Sequence, residues 1–102
     1  MSDFTIKVIG IIKNIPMGYV MTYGQIAELA GSPRGARQVS RILHSMTKSH
    51  NLPWHRVIGK TGQLTLDAAI GGCEQRLLLE SEGIIINDDG IVDLSKYLFS
   101  DY

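Results

Sequence analysis

Five residues able to carry positive charge, Arg34, Arg37, Arg41, His44 and Lys48, step by 3, 4, 3 and 4 along the chain. On a helix that spacing lines them up along one face. Ala36, Val39, Leu43 and Met46 step by 3, 4 and 3 and form an apolar stripe on the opposite face. An ordinary solvated helix face mixes signs, because like charges three and four residues apart repel. No carboxylate interrupts this one, so the pattern points to contact with a polyanion.

Other chemistry is poorly supplied. His44, His50 and His55 show no pairing at four residues on one helical face and no clustered thiol or carboxylate, so no metal site is expected. Gly71-Gly72 is loop grammar rather than a phosphate-binding fingerprint, and no serine has a nucleophile-elbow context. Cys73 is the single cysteine, which excludes an internal disulfide and Cys-rich zinc sites. Beside Gly71-Gly72 it reads as a structural thiol. No cofactor is expected.

The elements that must position these residues are short. Phe4, Val8, Ile11, Ile12 and Ile15 predict a helix from about Asp3 to Asn14, capped by Ser2 or Asp3 and ended by Pro16 and Gly18. Residues 19–21 read as an extended link. Thr22-Tyr23-Gly24-Gln25 has capping-box spacing and opens a short helix that stops at Gly31. Ser32-Pro33 is expected to restart a helix over about 34–47, giving a helix-turn-helix. Beyond Pro53 come a strand at Val57-Ile58, a turn at 59–62, a short strand around Leu64–Leu66 and a helix from about Glu74 to Glu82. Ile84–Ile86, the Asn87-Asp88-Asp89-Gly90 turn and Ile91–Leu94 predict a hairpin, followed by a tail with Tyr97, Leu98, Phe99 and Tyr102. The fold class is α/β and mainly helical, a winged-helix-like domain with a helix-turn-helix, short strands and a C-terminal hairpin.

The chain has 102 residues, 44% apolar and 20% charged, the composition of a single globular domain over residues 1–102. Ten cationic residues cancel ten carboxylates, but the charges are segregated. Residues 1–28 are neutral, 29–66 carry +6 with no carboxylate, and 67–102 carry −6. Charged residues break every apolar run well short of a membrane span, and the start lacks the basic region of a signal peptide. A monomer in the cytoplasm is expected, at the nucleoid in a prokaryote or in the nucleus of a eukaryote.

Leu52-Pro53-Trp54-His55-Arg56-Val57-Ile58-Gly59 brings these features to a family. Together with Ile15 to Ala27, Ala36-Arg37-Gln38-Val39 and Leu78-Leu79-Glu80-Ser81-Glu82-Gly83, it resembles the DNA-binding domain of O6-alkylguanine-DNA alkyltransferases. The resemblance runs over residues 4–83, with the hairpin and tail at 84–102 outside it. Those enzymes read Pro-Cys-His-Arg-Val, whereas here Trp54 stands at the acceptor position. Pro-Trp-His-Arg is the signature of the alkyltransferase-like proteins, which resemble the enzymes but do not transfer alkyl groups. The chemistry agrees: alkyl transfer needs a soft, unhindered lone pair, and the indole nitrogen's electrons belong to its ring.

The resemblance implies a non-enzymatic protein that docks in the minor groove of double-stranded DNA, flips an O6-alkylguanine and flags it for nucleotide excision repair proteins. It implies that Tyr23 presses on the phosphate 3′ of the target, that Arg37 fills the vacated stack and that Trp54 faces the flipped base. Arg34, Arg41 and Lys48 would hold phosphates; Pro53, His55, Arg56 and Glu82 would support the pocket. Two departures stand out. Met46 occupies the place of an asparagine hinge, and Thr65-Leu66-Asp67 replaces a basic loop. Two rivals remain: a winged-helix, sequence-specific regulator with residues 57–66 as its wing, and a true alkyltransferase using Cys73.

Overall fold

The computed structural model describes residues 1–64 and 72–100. Helix α1 (Asp3–Lys13) starts where the Ser2 hydroxyl accepts from the Thr5 amide, and it buries Val8, Ile9 and Ile12. Strand β1 (Met21–Thr22) leads directly into α2 (Tyr23–Leu29), and both halves of the predicted capping box form between Thr22 and Gln25. Helix α3 (Ala36–His50) carries the basic face outward, with Arg37, Arg41, His44 and Lys48 exposed. Its other face buries Val39 and Leu43 and sets Met46 against the core.

The start of α3 differs from the sequence expectation. Ser32-Pro33 does not cap it; Gly35 holds the N-cap position. Ser32 belongs to the end of α2, where its amide donates to Ala27 O at 2.9 Å around Gly31, whose φ of 96° only glycine adopts without strain. The Gly35 amide then bonds Ser32 O at 2.8 Å, closing a tight turn that contains Arg34. A Cβ at Gly35 would press on the Phe4 ring at 3.0 Å and on Ser32 O at 3.1 Å, so a larger residue there requires these neighbours to shift. Arg34 therefore sits in the turn ahead of the helix, exposed but off its register.

A one-turn 3-10 helix (Trp54–Arg56) runs into β2 (Val57–Ile58), which pairs in parallel with β1, Met21 opposite Val57 and Thr22 opposite Ile58. Strand β2 joins β1, Gly59 N donates to Gln63 O at 2.9 Å, and Gln63 bridges Ile91 in antiparallel sense. Residues 65 and 66 of the expected 57–66 wing lie outside the described residues. Helix α4 (Gly72–Ser81) ends at Gly83, where φ is 89° and the Ile84 amide reaches back to Leu79 O at 3.1 Å. The C-terminal hairpin is minimal: one antiparallel bridge, Ile86 to Val92, around a turn held by the Asn87 side chain. A last helical turn, α5 (Leu94–Tyr97), buries Tyr97, and Phe99 packs against the first core, so the tail packs as far as Phe99. The expected strand at Leu64–Leu66 and the Thr65-Leu66-Asp67 loop fall beyond the described residues from 65 on, as do the Cys73 side chain and Tyr102.

Two apolar clusters lie on either side of the β1–β2 pair. Val8, Ile12, Ile15, Ile26, Val39, Leu43 and Leu52 join Met21 and Val57 in the first. Leu79, Ile84, Ile86, Val92 and Tyr97 join Val20 and Ile58 in the second. Alternation along each strand sends Val20 and Met21, and likewise Val57 and Ile58, to opposite faces. The small sheet thus seats the helix-turn-helix on the C-terminal half. Among the described residues, no helix is long and apolar enough to cross a membrane.

Candidate nucleic-acid interface

The link from α3 to the 3-10 helix sets Trp54. Helix α3 runs through Met46 without a break, and Met46 packs half-buried on the first core. The turn comes at Asn51 instead, in the left-handed region at φ 52°, with its amide on Thr47 O. Asparagine tolerates that conformation better than other side-chain-bearing residues. Pro53 follows at φ −75° and ψ 68°, and the Trp54 amide bonds Leu52 O at 2.8 Å across it. That is an inverse γ-turn, and the proline ring pre-sets its φ. Trp54 leaves the turn half-buried against the first core, its ring edge-on to the His55 imidazole at 6.1 Å between centroids.

His55, Arg56 and Glu82 meet in one cluster. Glu82 Oε2 receives His55 Nε2 at 2.7 Å and Arg56 Nη2 at 2.8 Å, while Arg56 Nε bonds both carboxylate oxygens. The remaining hands go to the backbone: the Gly18 amide donates to Glu82 Oε1 at 3.1 Å, and Arg56 Nη1 donates to Ile15 O at 2.9 Å. The Glu82 side chain is only 8% exposed. Burial pushes its carboxyl up, but the bonds from Arg56, His55 and Gly18 outweigh it and hold the group at about 2. Ionised, Glu82 only accepts, so His55 must carry its proton on Nε2. Arg56 faces inward, so it is not part of the outward basic face; of the +6 segment, Arg34, Arg37, Arg41, Lys48 and Lys60 are exposed.

Gln75 escaped the sequence reading. It is fully buried on α4, and its Nε2 donates to the carbonyls of Val57 at 3.1 Å and His55 at 3.3 Å. A signal existed, because Gln75 lies seven residues before Glu82, two turns back in a segment expected to be helical from Glu74 to Glu82. Tyr23 opens α2 half-buried and packs against the first core, as Trp54 and Phe99 do. Tyr23, Trp54 and the His55–Arg56–Glu82 cluster thus all hang on the β1–β2 pair and its flanks, while Arg37, Arg41 and Lys48 follow the outer face of α3. Among the described residues, no group of three or more His, Cys, Asp or Glu is placed to hold a metal.

The family model for the 6-O-methylguanine DNA methyltransferase DNA-binding domain matches residues 3–84. A DNA base-flipping protein of Escherichia coli is 43% identical over 95 residues, 93% of this chain and 73% of that one. Alkyltransferase-like protein 1 of Schizosaccharomyces pombe is 39% identical over 104 residues, covering 97% of this chain and 96% of its own. The chain belongs to the alkyltransferase-like family. The fold agrees: the crystal structure of S. pombe Atl1 in complex with damaged DNA containing O6-carboxymethylguanine superposes with a TM-score of 0.87 at 34% identity, over 98% of this chain and 97% of that one. In this alkyltransferase-like protein the Pro53-Trp54-His55-Arg56 segment carries an indole, which offers an N–H donor and an apolar face but no free lone pair.

Proposed function

We propose that this protein recognises O6-alkylguanine in duplex DNA by docking α3 and its preceding turn in the minor groove and flipping the damaged base toward Trp54, without taking its alkyl group. The observation that carries this reading is the half-buried Trp54 beside the Glu82–His55–Arg56 cluster, in a segment whose resemblance to the enzymes' motif puts Trp54 where they carry cysteine. The cluster braces the pocket wall, and the indole offers a face and an N–H donor. Tyr23 presses on the phosphate 3′ of the target, Arg37 fills the gap in the stack, and Arg34, Arg41 and Lys48 hold phosphates. The bound monomer then leaves the lesion marked for nucleotide excision repair.

Magnitudes support the division of labour. Extruding a base costs a few kcal/mol, least for one that already pairs badly. Stacking on an aromatic ring returns roughly 1–3 kcal/mol. Phosphate contacts must supply the rest, and the first turn of α3 is arranged for them: it carries Arg37 and no acidic residue. The helix dipole favours negative charge at that end, and DNA provides it. Lesion discrimination then follows from the lower cost of flipping a poorly paired base.

The test is a titration with two duplexes that differ by a single O6-methylguanine, followed through Trp54, the single tryptophan. Tighter binding to the methylated duplex with an unchanged protein mass is expected. Equal affinity for both would sink lesion recognition, and a mass gain of one methyl group would make the protein an alkyltransferase.

A further inference from the structure

The C-terminal tail, which lies past the end of the family match at residue 84, is tied to both halves of the candidate site. We infer that residues 94–99 act as a strap that positions Tyr23 and the Glu82 cluster for lesion binding, an inference that rests on the function proposed above.

The strap is anchored at Tyr97, whose ring is buried in the second core and whose hydroxyl accepts from the Ile85 amide at 3.1 Å. From there the backbone runs alongside the residue before β1. Val20 N donates to Tyr97 O at 2.9 Å, and Phe99 N donates to Val20 O at 2.8 Å, a parallel bridge between Val20 and Leu98. Phe99 then makes two contacts in opposite directions. Its carbonyl accepts Gln25 Nε2 at 2.5 Å, and its ring meets the Tyr19 ring edge-on at 5.8 Å.

Each contact leads to a different part of the site. Gln25 is the far corner of the capping box: its Oε1 accepts the Thr22 amide at 3.3 Å, and its own amide donates to Thr22 Oγ1 at 3.1 Å. Tyr23 is the first residue inside that cap. One side-chain amide therefore joins the strap to the turn that aims Tyr23. In the other direction, Tyr19 follows Gly18, whose amide is bonded to Glu82 Oε1. Residues 18–25 are thus fastened by the strap near both ends, between the pocket cluster and the residue assigned to rotate the nucleotide. Strand β1 itself is two residues long, too short to fix this segment through its pairing with β2 alone.

Gln25→Glu isolates the link, because glutamate keeps the capping-box acceptor but has no N–H for Phe99 O. Phe99→Ala removes the ring contact, and Phe99→Tyr is the conservative control. Each full-length variant is measured for affinity toward the O6-methylguanine and undamaged duplexes, and for amide hydrogen exchange at residues 20–25. Faster exchange there, about fivefold weaker lesion binding and unchanged affinity for undamaged DNA are expected for Gln25→Glu and Phe99→Ala; Phe99→Tyr should match the wild type. A folded variant that keeps the wild-type ratio of the two affinities would overturn the strap, even with faster exchange. A wild-type protein that binds both duplexes equally would overturn lesion recognition instead, so the two failures are told apart.

Discussion

The Trp54 indole has no free lone pair to attack with, so the role proposed for it is surface rather than reactivity. Trp54→Ala should weaken lesion binding by roughly 1–3 kcal/mol, the value of one aromatic stack, and leave binding to undamaged duplex nearly unchanged. Trp54→Phe should recover most of the loss; titrations of the paired duplexes, read by fluorescence anisotropy of labelled DNA, check both. Arg37 and Arg41 are both exposed on α3, yet their assigned roles differ. Arg37→Ala should lower lesion affinity more than undamaged affinity, because the vacated stack exists only when a base is flipped. Arg41→Ala should lower both equally, because a phosphate contact carries no information about the lesion.

At the scale of elements, the joint between the end of α4 and the 3-10 helix bears on stability. The Glu82 carboxyl sits at about 2 in the fold, below its ordinary value of 4.5. A depressed carboxyl contributes stability that is present in full above about pH 4.5 and is lost as the pH falls toward 2. Thermal unfolding followed from pH 7 to pH 2 should show that loss, and Glu82→Gln should flatten it. The same variant should cost about 3 kcal/mol at neutral pH, because it leaves the part-buried Arg56 guanidinium without its counter-charge. Gln75→Ala attacks the joint from another side, leaving the carbonyls of His55 and Val57 without their donor. It should destabilise by about 1–3 kcal/mol in chemical denaturation.

For the whole molecule, the charges divide the work along the chain. Net charge is zero, yet Arg34, Arg37, Arg41 and Lys48 lie exposed on α3 and the turn before it. If these four neutralise phosphates, the logarithm of the binding constant should fall with the logarithm of salt concentration at a slope of about −4. Each replacement of Arg41 or Lys48 by alanine should reduce that slope by about one. Binding isotherms on undamaged duplex across a salt series measure it directly. Lys48 also lies in the last turn of α3, where the helix dipole favours a cation, so its replacement carries a small cost in stability as well.

The sequence by itself determined the family, the basic and apolar stripes of α3 and the capping box at Thr22. All of these are set by residue type and local spacing, and local hydrogen bonds and helical periodicity act over a few residues. It misplaced the start of α3, because the turn at Ser32–Gly35 is packed against the Phe4 ring, a contact from another helix. It could name His55, Arg56 and Glu82, but their convergence on one carboxylate, the carbonyl of Ile15 and the amide of Gly18 spans the length of the chain. The tail followed the same rule: periodicity left open whether Tyr97 and Phe99 pack. Tertiary structure decided it, because the partners that hold them, Val20 and Gln25, lie more than 70 residues away. Such pairings depend on how the sheet and its two cores close, and no local pattern encodes them.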